Sequence, residues 1–138
     1  MSHPEPGWKK VERRVAEFMS TVRTPLSGGN SGHTRSDTRH PSLFIEIKHG
    51  AGCPTTWPKI LVLFAKTEGL ADLEHKQALL VLHRKYVGHV EDYDTFLRIP
   101  TFLDPAGVVA CVTLGKAREL LGRGACPLPD PRQKKLDA

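Results

Sequence analysis

The sequence predicts an α/β domain with a central mixed β-sheet flanked by helices. Four observations carry that prediction. Leu43 to Lys48 alternates in the manner of a strand, and Ala78 to His83 is a continuous apolar run of strand length. Between them, from about Trp57 to His75, apolar side chains recur at helical spacing. Ahead of both, Trp8, Val11, Val15, Phe18 and Met19 mark one face of an amphipathic helix.

At 138 residues the chain has the length of one domain with a substantial core. We divide it into a flexible lead-in at 1–7, a single domain at 8–121, and a flexible, Pro-rich basic tail at 122–138. The formal charge is +5 and the isoelectric point is near 9.3, a balance that favours a polyanionic partner. The three cysteines, Cys53, Cys111 and Cys126, are odd in number and widely spaced. They do not form a disulfide framework, so a reducing, intracellular compartment is expected. The polar N-terminus reads as no signal peptide, and the run from Ile60 to Ala65 is far too short to span a bilayer. No membrane partner is expected.

The elements follow in order. Lys9, Lys10, Arg13, Arg14 and Glu17 take the polar side of the first helix, and Glu12 lies at the edge of its apolar stripe. Read alone, Glu12 is a surface carboxylate paired with a basic neighbour. Val22 to Pro25 is a short strand candidate. The loop Ser27-Gly28-Gly29-Asn30-Ser31-Gly32 lacks the Gly-Lys-Ser/Thr of a P-loop, but its glycines permit close backbone approach to a phosphate. Thr55 or Thr56 caps the long helix, Pro58 suits its first turn, and Gly69 is a candidate break. Ala78 to His83 is a central strand buried on both faces. Asp92 to Ile99 is an edge strand or short helix, and Val108 to Val112 is a further strand. Thr113 caps a last helix through about Leu121.

The chemistry concentrates between Ser36 and Lys48. Glu46 and Lys48 share one face of their strand, and Ile45 and Ile47 share the other. Asp37 lies nine positions before Glu46, across turn material that includes Pro41. A hairpin there brings Asp37 beside Glu46. Two carboxylates and an ammonium around one point are the minimum for holding a hard divalent cation and activating water.

The pattern Asp37…Glu46-Ile47-Lys48 resembles the PD-(D/E)xK nuclease superfamily, with Ser36 where the literal motif has proline. The helix bearing Glu12-Arg13, the loop Ser27-Gly28-Gly29, the hairpin, the long helix and the buried strand follow in an order similar to archaeal-type Holliday junction resolvases and their phage-encoded relatives. The similarity spans roughly residues 8–85. It implies a restriction-endonuclease-like nuclease core in which Asp37 and Glu46 bind Mg²⁺ or Mn²⁺, with the Ile47 carbonyl as a third ligand. Glu12 completes the acidic cluster directly or through water. Lys48 orients the attacking water, and Ser27 contacts the phosphate, with Lys76 or Gln77 as weaker candidates. Lys9, Lys10, Arg13, Arg14, Arg23, Arg35 and Arg39 track the DNA backbone. The resemblance further implies a homodimer that cuts branched double-stranded DNA, in the cytoplasm of a prokaryotic or phage-infected cell.

Other readings stay open: another PD-(D/E)xK nuclease of repair, restriction or DNA processing, or a basic nucleic-acid-binding protein whose carboxylates are structural. Zinc is a weaker alternative, because His49-x-x-x-Cys53 is one ligand couple without a second. A metal site on His33 or His40 is similarly weak. Ser27 lacks the context of a hydrolase nucleophile.

Overall fold

A computed structural model describes residues 7–25 and 34–122. The order of elements is α1 (Gly7–Phe18), β1 (Leu43–His49), α2 (Trp57–Leu73), β2 (Gln77–His83), β3 (Asp94–Ile99), β4 (Val108–Thr113) and α3 (Leu114–Gly122). The four strands form one mixed sheet in the order β1-β2-β3-β4. Strands β1 and β2 run parallel, from Leu43 opposite Gln77 to His49 opposite His83, and the other neighbours are antiparallel. The parallel pair requires a crossover, which α2 supplies.

Helices cover both faces of the sheet. On one face, Val11 and Val15 of α1 and Leu114, Ala117 and Leu121 of α3 pack with Leu43, Ile45, Ile47, Leu79 and Val81. On the other, Ile60, Phe64 and Ala71 of α2 pack with Phe44, Leu80, Leu82 and Phe96. The alternation read in β1 therefore sorts its apolar residues between two cores, and β2 is buried on both faces as its composition requires. The expected α/β architecture, a mixed sheet flanked by helices, is the architecture found.

Several boundaries differ from expectation. Gly7 already belongs to α1, and Gly122 closes α3, so neither belongs to a flexible segment. The rest of the expected lead-in and tail lies outside the described residues. The Val22–Pro25 strand shrinks to a single bridge between Arg23 and Thr38, framed by the bonds of the Thr24 and Arg39 amides. Gly69 does not break α2: its surroundings are open, and Phe64 and Ala71 anchor the helix on either side. Thr56 occupies the N-cap of α2 without a side-chain cap bond. Thr113 does cap α3, its hydroxyl accepting from the Lys116 amide at 3.1 Å. Strand β3 starts only at Asp94, after a 3-10 turn at Val90–Asp92. Among the described residues, no helix is long and apolar enough to cross a membrane.

Candidate active site

Strand β1 lies at the edge of the sheet, so one row of its backbone groups is left for a partner other than β2. The segment before it fills that row. The Asp37 amide donates to the Ile45 carbonyl at 2.9 Å. Buried Ser36 clamps the junction, its hydroxyl accepting from the Ile45 amide at 2.9 Å and donating to the Ile45 carbonyl at 3.2 Å. Further out, Thr24 donates to the Asp37 carbonyl and Arg39 to the Val22 carbonyl, both at 3.0 Å. The chain turns back onto β1 as expected, but through one backbone bond and the Ser36 and Asp37 side chains in place of a hairpin ladder, and a third strip of chain at 22–24 backs it.

The turn fixes the carboxylate of Asp37. Its Oδ2 accepts from the Ile47 amide at 2.8 Å. The N–H and C=O of one strand residue point to the same edge, so the Ile47 carbonyl also faces the Asp37 side. On the α2 face of β1, the Lys48 ammonium lies 3.1 Å from Glu46 Oε1. Both side chains are partly open, Lys48 the more so at 37% exposure. Glu12 reaches the same cluster from α1, with its Oε1 3.0 Å from Arg23 Nε.

Electrostatics tie these acids together. Burial, then the charge of Glu46, pushes the Asp37 carboxyl up to about 7, against the pull of the Ile47 amide. Glu12 adds to the rise at Asp37 and itself feels Glu46. Burial raises its pKa, Arg23 opposes that, and Glu46 adds to it. A cluster of carboxylates that resist joint ionisation is what a cation relieves.

The donor chemistry fits a hard divalent ion. Asp37, Glu46 and the Ile47 carbonyl are all oxygen donors, which suit Mg²⁺ or Mn²⁺ rather than zinc. Among the described residues, no three His, Cys, Asp or Glu side chains gather closely enough to hold a metal by themselves. A complete shell would draw on the backbone carbonyl and water, as Mg²⁺ usually does.

Ser27 lies outside the described residues. Lys76 pairs with Glu74 at 3.3 Å, and the Gln77 amide donates to the Arg98 carbonyl at 3.4 Å. Gln77 starts β2 opposite Leu43, three register positions before Glu46 meets Leu80, and Lys76 precedes it. There they line a cleft of about 300 Å³ together with Glu68, Asp72 and Arg98. Of the expected backbone-tracking residues, Lys10, Arg13, Arg14, Arg35 and Arg39 are exposed, and Lys9 and Arg23 are half-buried. Of the alternative metal residues, His40 does structural work: its Nδ1 accepts from the Ser42 and Leu43 amides, each at 3.1 Å. His49 and His83 are register partners whose stacked rings bring their Nδ1 atoms to 2.7 Å.

Sequence reading missed two residues that build the site. Ser36 is one. Glu74 is the other: it accepts from the Thr34 hydroxyl and the Arg35 amide and pairs with Lys76, so it anchors the chain that leads into Asp37. Burial works to raise the Glu74 pKa, but these bonds outweigh it and hold the carboxyl below its usual value. The serine in place of proline before Asp37 was the one available signal for Ser36.

The class defined at this level is an α/β protein with a paired-carboxylate and lysine cluster on an edge strand. No protein-family model, curated protein or solved structure matches the chain.

Proposed function

We propose that this chain is a metal-dependent endodeoxyribonuclease that hydrolyses phosphodiester bonds in branched DNA, four-way junctions foremost. One observation carries the reading: Asp37, held by the Ile47 amide, shares an electrostatic cluster with Glu46, whose carboxylate is paired with Lys48. Asp37, Glu46 and the Ile47 carbonyl would hold Mg²⁺ or Mn²⁺. When bound, such an ion polarises the phosphate and lowers the pKa of a water. Lys48 orients the attacking water and stabilises negative charge developing on the phosphate. Glu12 adds negative charge from α1, and the resemblance adds Ser27, outside the described residues, as a contact to the phosphate. The exposed basic residues of α1, with Arg35 and Arg39, neutralise the DNA backbone without reading its sequence. The junction preference, the homodimer and the cytoplasmic setting rest on the resemblance to Holliday junction resolvases.

The test is nicking of synthetic four-way junction, flap and linear duplex DNA in Mg²⁺. Junction cutting well above duplex cutting is the expected result. Equal cutting removes the resolvase assignment and leaves the nuclease. A second reading, a non-catalytic nucleic-acid-binding protein, is favoured by the closed pairs Glu12–Arg23 and Glu46–Lys48, which satisfy two of the carboxylates without a cation. Absence of cleavage on every substrate, with DNA binding intact, selects it.

A further inference from the structure

Trp8 occupies a position that the helix stripe marks for burial, together with Val11 and Val15. Val11 and Val15 are buried, but Trp8 stays 45% exposed. The α1 stripe therefore overruns the sheet and presents on the order of 100 Å² of indole surface to solvent. Two cations attend the ring: Lys9 Nζ lies 5.3 Å and the Arg23 guanidinium 5.4 Å from its centroid. Arg23 is also the partner of Glu12.

Trp8 and Glu12 stand four residues apart, on the same side of α1. That spacing is about 6 Å along the helix axis. An exposed indole flanked by Lys and Arg is thus set one helical turn from the carboxylate cluster. We infer that Trp8 is a stacking platform for an unpaired nucleobase of a DNA strand whose phosphate lies at Asp37 and Glu46, with Lys9 and Arg23 taking the flanking phosphates. The inference rests on the nuclease reading and deepens it, because it names the structural feature of DNA that the site selects.

The physical case has three parts. Every base has a π-face, so an indole binds a base without reading its identity, as a structure-selective protein requires. A base inside a continuous duplex has both faces occupied by its neighbours, so only an unstacked base can use the platform. The cations around the ring can turn to a phosphate: Lys9 has a flexible stem, for which a phosphate chain is a better partner than the ring face, and Arg23, bonded to Glu12 through Nε, keeps its two terminal NH2 groups for a phosphate.

The experiment uses the full-length chain with Ca²⁺ in place of Mg²⁺. The probes are three oligonucleotide duplexes: one forked with an unpaired nucleotide at the branch, the same fork with an abasic residue there, and a continuous duplex. Expected is tighter binding to the fork than to its abasic form or to the duplex. Trp8→Ala should lose about 5- to 150-fold in affinity for the fork, and Trp8→Phe should lose much less. In a Trp57→Phe background, fork binding should quench the Trp8 fluorescence. The abasic comparison needs no substitution, so it stands even if Trp8→Ala fails to fold. Equal affinity for fork and abasic fork, or an equal effect of Trp8→Ala on fork and duplex, overturns the inference and leaves DNA binding in place. No binding to any of the three DNAs overturns the nuclease reading as well.

Discussion

Replacing Asp37 with Asn should stabilise the metal-free protein at neutral and alkaline pH. The Asp37 carboxyl is pushed up to about 7 from its ordinary 3.8 by burial and by Glu46. Between those values the folded chain holds a proton that the unfolded chain has released, so stability falls as pH rises through the window. Three pH units at about 1.36 kcal/mol each set an upper bound of about 4 kcal/mol at pH 8. Asn has the shape of the protonated acid and keeps an oxygen for the Ile47 amide at Oδ2, but it carries no charge. The expected gain is about 2–4 kcal/mol in EDTA at pH 8, equivalent to a rise in Tm on the order of 10 °C for a domain of this size. At pH 4 the two proteins should melt together. Adding Mg²⁺ should reverse the order at pH 8, because the wild type gains RT ln(1 + [Mg²⁺]/Kd) and the variant gains little. Calorimetric melts of both proteins at the two pH values, with and without Mg²⁺, measure all of this. If D37N in EDTA at pH 8 is no more stable than wild type, the carboxylate cluster is not under electrostatic strain, and its use as a cation site loses its support.

Further outcomes follow from the same geometry. Glu46→Ala should abolish nicking while DNA binding is retained or tightened, since a negative charge leaves the site; cleavage that survives it refutes the assignment of Glu46. Ser36→Ala should cost about 1–3 kcal/mol in urea unfolding, because it strips buried backbone groups of β1 and the Asp37 segment of a partner. Burial, then Lys76, lowers the His40 pKa, and His40 accepts two amides as a neutral ring. Its stabilising contribution is complete above pH 6.5 and is lost as pH falls through its folded pKa, so His40→Ala should flatten the acid limb of a melting curve. Replacing Lys10, Arg13 and Arg14 together by Ala should reduce the slope of log binding against log salt by about 0.9 per lost phosphate contact, without changing substrate preference.

The fold was legible because its signals are periodic. The stripe of Val11 and Val15, the alternation of Leu43 to Lys48 and the apolar run through β2 each record which surfaces are removed from water. Burial repeats along an element, so it leaves a pattern in the chain. The turn joining Asp37 to β1 was legible for a related reason, since Pro41 and its neighbours are local turn chemistry. What stayed hidden depends on single hydrogen bonds between distant positions. Glu74 meets Arg35 across 39 residues, and nothing at either position signals it. Arg23 could be counted as a cation but not assigned to Glu12 and Trp8, because one charge in a basic chain has many possible partners. Sequence order put Lys76 and Gln77 at the mouth of β2 but not the register of β2 on β1, which sets Gln77 opposite Leu43 and not Glu46.

The turn bears on the order in which the chain assembles. Ser36 meets Ile45 across nine residues, whereas His49 meets His83 across 34. Short loops cost less entropy to close, so the turn that joins Asp37 to β1 is expected to form before β2 docks. Asp37 and Glu46 then confront each other in the folding transition state, while much of the favourable burial is still to come. Relief of their repulsion should therefore act on the folding limb of a chevron plot, and the larger part of the Asp37 shift, which comes from burial, on the unfolding limb.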